Sequence, residues 1–147
     1  MSSAHIEPEI LDLIPHRPPM LLINKIQSLT ENGSQAIVVI DSDAPFINEA
    51  GVPSWIGLEY MGQTAALIAG YQLREGLTKP HLGYLLGSRN YSVEQAYFSI
   101  GSELLVSCKE AALVGDSLAT FDCKIQDNQT KQDLAKASLS VYRKPLE

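Results

Sequence analysis

The sequence contains few of the residues from which metal sites, disulfide frameworks and redox centres are made. Its 147 residues include only two cysteines and three histidines. Cys108 and Cys123 lie in strand-like runs, without a CxxC pair or a nearby histidine pair, so neither a zinc site nor a disulfide framework is expected. GxGxxG, Walker and HExxH motifs are also missing. We therefore expect no metal, nucleotide or redox cofactor.

Basic residues are in the minority. Eleven Lys and Arg stand against 17 Asp and Glu, which gives a formal net charge of -6 and argues against non-specific binding of nucleic acid. The N-terminus has neither the basic nor the apolar stretch of a secretion signal, so a cytoplasmic location is expected. The length and the 45% hydrophobic content predict a single domain, residues 1–147, with a sizeable core.

The longest apolar segment predicts a helix from Pro53 to Arg74. Pro53 suits a helix start, and Gly76 suits a C-terminal cap. A helix that is apolar nearly all round is buried, either in a membrane or in a protein core. Glu59, Gln63, three glycines and the lack of a basic flank argue against a membrane span. We expect a central helix wrapped by a sheet.

Strand-like segments fill most of the remaining chain. A short helix is predicted over residues 6–13, and the apolar runs 20–26 and 36–40 flank a hairpin turn at Glu31-Asn32-Gly33-Ser34. Strands are predicted at 82–86, 103–108, 118–125 and 135–142, the last two with period-two alternation. The fold class is therefore α+β, with an antiparallel sheet of about five to seven strands around one long helix.

Glu59 is the most informative candidate for chemistry. It is expected to lie one and a half turns into an almost wholly apolar helix, where desolvation would raise its pKa and make it a proton donor near neutral pH. Gln63, four residues later, projects from the same face. An alternative is that Glu59 is a buried residue with a purely structural role, held in place by Gln63.

Weaker candidates lie at the helix start and at the histidines. The amides near Ser54 have no intrahelical partner and are suited to polarise a carbonyl, although Ser54 also fits a simple cap. His16 and Arg17 fit either a phosphate contact or an ordered proline-rich turn. His81 fits either a base or a surface loop residue. His5 is discounted as part of a frayed terminus.

Two motifs together resemble a known family. Ile14-Pro15-His16-Arg17-Pro18-Pro19-Met20-Leu21-Leu22-Ile23-Asn24 resembles the Leu-Pro-His-Arg-x-Pro-x-Leu-Leu-Val-Asp signature of the hot-dog-fold 3-hydroxyacyl-acyl-carrier-protein dehydratases. Glu59-Tyr60-Met61-Gly62-Gln63 resembles the Glu-Ala-Met-Ala-Gln segment of that family's central helix, and Gly101-Ser102-Glu103 its Pro-Gly-Asp turn. The segment from Trp55 to Gln63 is similar to the dehydratase-like subgroup of aryl polyene and specialised fatty-acid pathways.

The resemblance implies roles for three residues. Glu59 takes the place of the family's catalytic acid, Gln63 that of its helical neighbour, and Ser54 lies near the amide that polarises the thioester. In the family a histidine on the loop before the helix, usually donated by the other subunit, removes the C2 proton. The corresponding stretch, residues 46–51, contains no histidine in this chain.

Three functions therefore stay open at this stage. The first is a dehydratase subunit that supplies Glu59 to a site completed by a His-bearing hot-dog partner. The second is a homomeric enzyme that uses Glu59 with His81 or a water, either as a dehydratase or as an acyl thioesterase. The third is a non-catalytic acyl-binding or scaffold subunit. A homodimer or heterodimer with a hot-dog paralogue is expected in each case.

An acyl carrier protein is the expected partner that delivers the substrate. Acyl carrier proteins are acidic, and so is this chain, so their overall attraction is unfavourable. Binding would need a local basic patch, for which five residues are available: Arg17, Lys25, Arg74, Lys79 and Arg89.

Overall fold

The computed structural model describes residues 6–115 and 117–145, so His5 lies outside the described residues. The two α-helices are α1 (Pro8–Leu13) and α2 (Gly57–Arg74), and a short 3-10 helix, Ser54–Ile56, precedes α2. The strands are β1 (Lys25–Leu29), β2 (Gly33–Val39), β3 (Val52–Pro53), β4 (His81–Val93), β5 (Tyr97–Phe98), β6 (Glu103–Val114), β7 (Leu118–Asp127) and β8 (Asp133–Pro145). This confirms the predicted α+β class.

Six of the strands form one antiparallel sheet in the order β1-β2-β6-β7-β8-β4. The predicted hairpin is present: β1 pairs with β2, and the turn between them occupies residues 30–32. The first apolar run differs from the prediction, because only Lys25 and Ile26 of residues 20–26 belong to a strand. The small pair β3–β5 lies just before the helical region, with Val52 opposite Phe98.

Alternation along the strands builds the core beneath the sheet. On β7 the side chains of Ala119, Phe121, Cys123 and Ile125 are buried, which agrees with the predicted period-two alternation. Ala135, Ala137 and Leu139 of β8 face the same way. Burial of such apolar side chains against a central helix is the main favourable term in folding. Helix α2 contributes Tyr60, Met61, Leu67 and Ile68 to this core.

The central helix begins later than its composition suggested. Residues 54–56 form a 3-10 turn, and α2 proper runs from Gly57 to Arg74. At the other end Gly76 has a φ of +72°, the left-handed conformation that ends many helices and that glycine adopts without strain. Within the described residues, no helix has the length and apolarity needed to cross a membrane.

Strand β4 is an edge strand of the sheet. It pairs with β8 on one side and, among the described residues, with no strand on the other. Residues 82–90 are exposed on both faces, including Leu82, Tyr84, Leu85 and Leu86. A long apolar edge strand of this kind is a template for pairing with another chain.

Candidate active site

The site is organised around Gln63, whose side chain is completely buried on α2. Its Nε2 donates to the Glu59 Oε2 atom at 3.0 Å and to the Met20 carbonyl oxygen at 2.8 Å. Its Oε1 accepts from the Leu22 amide at 2.8 Å. One side chain therefore holds the catalytic candidate Glu59 and joins the segment around Met20–Leu22 to the helix.

A second contact fixes the start of the same segment. A Cβ atom built on Gly70 would lie 2.0 Å from the Leu13 carbonyl oxygen, so only glycine allows α1 to approach α2 this closely. The Arg17 guanidinium then donates to the carbonyl oxygens of Leu11, Ile14 and His16 at 2.7–2.8 Å. Because the segment is anchored on both sides of His16, that residue is placed over the start of α2.

His16 and Glu59 are brought together by these anchors. The His16 Nε2 atom lies 3.8 Å from the Glu59 Oε2 atom, and the His16 Nδ1 atom is buried without a hydrogen-bond partner in the described part of the chain. Burial lowers the pKa of His16 below 6.5; the nearby Glu59 carboxylate opposes this shift, and Arg17 adds to it. At neutral pH the His16 imidazole is therefore uncharged and able to accept a proton.

The surroundings of Glu59 differ from the expectation in two respects. Glu59 lies in the first turn of α2, rather than one and a half turns into it, because the preceding residues form the 3-10 turn. Its side chain is 42% exposed, so the predicted burial is wrong for the single chain. Glu59 is therefore a candidate through its contacts and its accessibility, and not through desolvation.

Ser54 is buried at the start of the 3-10 helix, but its own amide is already used. The Ser54 N–H donates to the Ala96 carbonyl oxygen at 2.9 Å, and its carbonyl oxygen accepts from the Tyr91 hydroxyl. A thioester carbonyl bound at the helix start would therefore have to use a later amide than that of Ser54.

His81 lies in a different part of the structure. Its Nδ1 atom is 3.0 Å from the Lys79 carbonyl oxygen, and Arg143 donates to its Nε2 atom at 3.2 Å. These contacts tie the first residue of β4 to the end of β8. The structure thus brings His16, the other weak candidate, to Glu59, and it engages His81 elsewhere.

The basic residues named for the carrier lie on different elements, and two of them are engaged in contacts within the chain. Arg17 is occupied by the carbonyl groups described above, and Arg74 pairs with Glu9 at 2.8 Å and Glu75 at 3.6 Å. Lys25, Lys79 and Arg89 are exposed on β1, the loop before β4, and β4 itself. The residues described contain no group of three or more His, Cys, Asp or Glu placed to hold a metal ion.

One feature that the sequence does not reveal is an exposed pair formed by Phe46 and Trp55, whose ring centroids are 6.5 Å apart. In the sequence, Trp55 is part of the segment that resembles the dehydratases, and Phe46 begins the loop without histidine. Nothing in the sequence shows that two residues nine positions apart meet on the surface. The proline before Phe46 and the glycine at position 51 were the available signs of a fixed loop.

Comparisons with known proteins agree with this architecture. The structure is similar to one described as the dehydratase heterocomplex ApeI:P from Xenorhabdus doucetiae, with a TM-score of 0.82 and 24% identity over 94% of this chain and 91% of that one. A Streptococcus pneumoniae protein described as a hypothetical thioesterase with coenzyme A aligns with a TM-score of 0.65 and 12% identity, over 84% and 87% of the two chains. The E. coli PaaI protein aligns with a TM-score of 0.64 and 14% identity, over 81% and 82%.

The antiparallel sheet wrapped around α2 is the hot-dog fold shared by these proteins. Comparison of the sequence with curated proteins finds no match. The family model for ApeP-like proteins, described as ApeP dehydratase, matches residues 8–147. The chain therefore belongs to the ApeP-like dehydratase family, a hot-dog family of the aryl polyene type.

Proposed function

We propose that this chain is a subunit of a dehydratase that acts on 3-hydroxyacyl groups carried as thioesters by an acyl carrier protein, and that Glu59 is its catalytic acid. The observation that carries the proposal is the position of Glu59. The carboxyl group is held at one oxygen by Gln63, lies beside an imidazole, and stays open to solvent on the helix that the family uses. Family membership supports the reaction class.

The reaction moves two protons. A base takes the proton from C2 of the acyl group while Glu59 donates its proton to the hydroxyl oxygen on C3. The C3–O bond breaks, water leaves, and the electron pair from the C2–H bond forms the new double bond. Because C2 and C3 are neighbouring carbons, the base and the acid must also be neighbours.

We propose that a His-bearing hot-dog subunit brings this base to Glu59. Residues 46–51 of this chain contain no histidine, whereas the resembling dehydratases have their basic histidine on that loop. The outer edge of β4, which pairs with no strand among the described residues, is a surface suited to such a partner. The similar structure from Xenorhabdus doucetiae is described as the dehydratase heterocomplex ApeI:P.

A second arrangement of the same reaction is favoured by one observation. The His16 Nε2 atom already lies 3.8 Å from the Glu59 Oε2 atom within one chain, and its lowered pKa keeps the imidazole neutral. In this arrangement His16 takes the C2 proton and then returns it to Glu59, which resets both groups without a second histidine. His81 has no such position, so it is not proposed as the base.

The carrier protein would meet an acidic surface on this chain. Arg17 and Arg74 are engaged in internal contacts, which leaves Lys25, Lys79 and Arg89 of the five basic residues considered. We propose that the partner subunit supplies much of the basic surface that an acidic carrier needs.

The decisive experiment compares the wild-type complex, formed with a His-bearing hot-dog partner, with two variants of this chain. Dehydration of a 3-hydroxyacyl carrier substrate is followed through the absorbance of the conjugated thioester product. We expect Glu59→Gln to lower kcat on the order of 100-fold or more, as for loss of a general acid. Glu75→Gln, which changes an acidic residue just after the last residue of α2, should leave kcat unchanged.

The source of the base is tested in the same assay. Replacing the partner's loop histidine by glutamine should abolish activity, and His16→Gln should retain most of it. The reverse result would assign the base to His16. An unchanged rate for Glu59→Gln would disprove the role of Glu59, and release of free acid instead of an unsaturated thioester would indicate a thioesterase. A complex that binds acyl thioesters without either reaction would be a scaffold.

A further inference from the structure

Two large aromatic side chains are exposed in the segment that leads into α2. Trp55 is 65% exposed and Phe46 is 47% exposed. Their ring centroids are 6.5 Å apart, and their planes are inclined by 60°. We call Phe46 and Trp55 the aromatic pair. Trp55 lies in the 3-10 turn four residues before Glu59, a spacing that favours the same helix face about one turn apart.

The backbone holds the aromatic pair in place before any ligand binds. Phe46 has a φ of +67°, a left-handed conformation that is strained for a bulky residue and persists only when its surroundings impose it. The Ile47 amide donates to the Ala44 carbonyl oxygen at 3.2 Å, and Asn48 and Gly51 exchange two backbone hydrogen bonds of 2.9 and 3.2 Å. The loop is therefore a fixed turn that presents the Phe46 ring outward.

The Trp55 side of the pair is fixed as well. The amide of the preceding residue, Ser54, bonds to the Ala96 carbonyl oxygen beside the β3–β5 pair. A Cβ atom on Gly51 would lie 2.1 Å from the Phe98 carbonyl oxygen, so the loop and β5 pack too closely for any other residue there. An apolar surface that is preorganised in this way loses little conformational entropy when a ligand covers it.

The reaction geometry indicates which ligand that is. The hydroxyl-bearing C3 must reach the Glu59 carboxyl group, so the acyl carbons beyond C3 must continue over the surface next to Glu59. The aromatic pair is an uncharged surface of that kind, and each methylene group that leaves water for it adds to the affinity. An acyl group with a single carbon beyond C3 covers much less of such a surface than a longer acyl group does.

We propose that the aromatic pair is the subsite for the distal part of the acyl chain and sets the preference of the enzyme for longer acyl groups. This inference rests on the proposed function, because it places C3 at Glu59. Phe46 and Trp55 act on specificity alone, since neither side chain exchanges a proton with the substrate.

The kinetic test uses the intact complex and two substrates, 3-hydroxybutyryl and 3-hydroxydecanoyl thioesters of the carrier. We expect Trp55→Ala and Phe46→Ala each to lower kcat/KM for the decanoyl substrate about tenfold, and to leave the butyryl substrate unchanged. Trp55→Phe should keep most of the preference. Leu73→Ala, an exposed apolar residue near the end of α2, serves as the control and should change neither value.

A binding test works even if the complex turns out not to dehydrate either substrate. This chain contains one tryptophan, so the difference in fluorescence between the wild-type complex and the Trp55→Phe complex reports on Trp55 alone. Titration with S-decyl pantetheine should shift this difference emission to shorter wavelength, because an exposed indole becomes covered. S-ethyl pantetheine should leave it unchanged.

Three results would overturn the proposal. The first is an equal loss of kcat/KM for both substrates, which would indicate a structural role. The second is no shift of the Trp55 emission with the decyl ligand. The third is loss of the partner from the Trp55→Ala complex in analytical ultracentrifugation, which would make the aromatic pair a subunit contact. Failure of the proposed function would be seen separately, because the wild-type complex would then dehydrate neither substrate.

Discussion

Gln63 shows how one side chain can determine the geometry of a site. Its amide group makes three hydrogen bonds, to Glu59, to Met20 and to Leu22, although the residue is fully buried. A buried amide with all these partners is favourable, and the same groups left without partners are unfavourable. Gln63 is therefore required both for stability and for the orientation of Glu59.

The stability part of this role can be measured with a matched pair of variants. Gln63→Leu leaves the Leu22 amide and the Met20 carbonyl oxygen without partners, and we expect the free energy of unfolding to fall by about 2–4 kcal/mol. Gln72→Leu makes the same replacement near the exposed end of α2, where a single bond to Glu31 is lost, and should cost less than about 1 kcal/mol. Denaturant unfolding measures both values. Equal losses would contradict the role given to Gln63.

At the scale of secondary-structure elements, the close contact between α1 and α2 positions His16. Gly70 allows the backbone of Leu13 to lie against α2, and the chain then runs through Pro15 and His16 toward the anchor at Gln63. If α1 stood further from α2, the imidazole would move away from Glu59. The six-residue helix α1 is thus a spacer whose position depends on one glycine in α2.

Two glycine substitutions on the same helix test this dependence. A Cβ atom on Gly70 would come within 2.0–2.9 Å of the Leu13 backbone, so Gly70→Ala should displace α1 and destabilise the fold by about 1–3 kcal/mol. A Cβ atom on Gly62 meets only the Leu85 side chain at 3.8 Å, an ordinary contact. Gly62→Ala should therefore stabilise the helix by up to about 1 kcal/mol. Thermal and denaturant unfolding show whether each variant raises or lowers the free energy of unfolding. A Gly70→Ala variant as stable as the wild type would refute the spacer role.

At the scale of the whole molecule, one edge of the sheet and part of the central helix stay uncovered in the single chain. Strand β4 is exposed on both faces and unpaired along one edge in the described structure, and the neighbouring face of α2 at Leu58, Gly62 and Ala66 is only half-buried. Leu85 of β4 lies next to Gly62. The edge and the helix face form one continuous surface, which fits the hot-dog partner subunit proposed above.

A charge placed on this edge should weaken assembly. We expect Leu86→Lys on β4 to raise the Kd of the complex with the partner subunit at least about tenfold, because the lysine would have to be desolvated in the interface. Leu113→Lys on β6, which changes an exposed leucine on an inner strand of the sheet, should leave the Kd unchanged. Analytical ultracentrifugation of the mixed subunits gives both constants. Equal effects of the two variants would exclude β4 as the interface.

Much of the architecture was predictable because it depends on local periodicity. The alternation at 118–125 and 135–142 predicts β7 and β8 and their buried faces, and Gly76 marks the end of α2. The strand at 82–86 was placed correctly but proved far longer, since exposure of β4 on both faces leaves no alternation to follow. The 3-10 turn at 54–56 was missed because its composition continues that of the helix.

The candidate site was predictable only in part, for a different reason. The spacing of Glu59 and Gln63 is a property of one helix, so both residues could be placed on one face from the sequence. The burial of Glu59 was predicted wrongly, since an apolar helix sequence does not show which face stays uncovered in a single chain. The approach of His16 and the separation of His81 depend on contacts between distant segments.

The sequence by itself therefore determined the fold class and the central helix. It also determined that Glu59 and Gln63 share one face of that helix, and that residues 46–51 contain no histidine. All of these follow from residue types and short spacings, which act within one or two turns of chain. Only the tertiary structure decided that His16 lies beside Glu59, that Phe46 meets Trp55, and that the amide of Ser54 is engaged. Those facts arise from close packing at Gly70, Gln63 and Gly51, where segments far apart in the chain must fit together within a few ångströms.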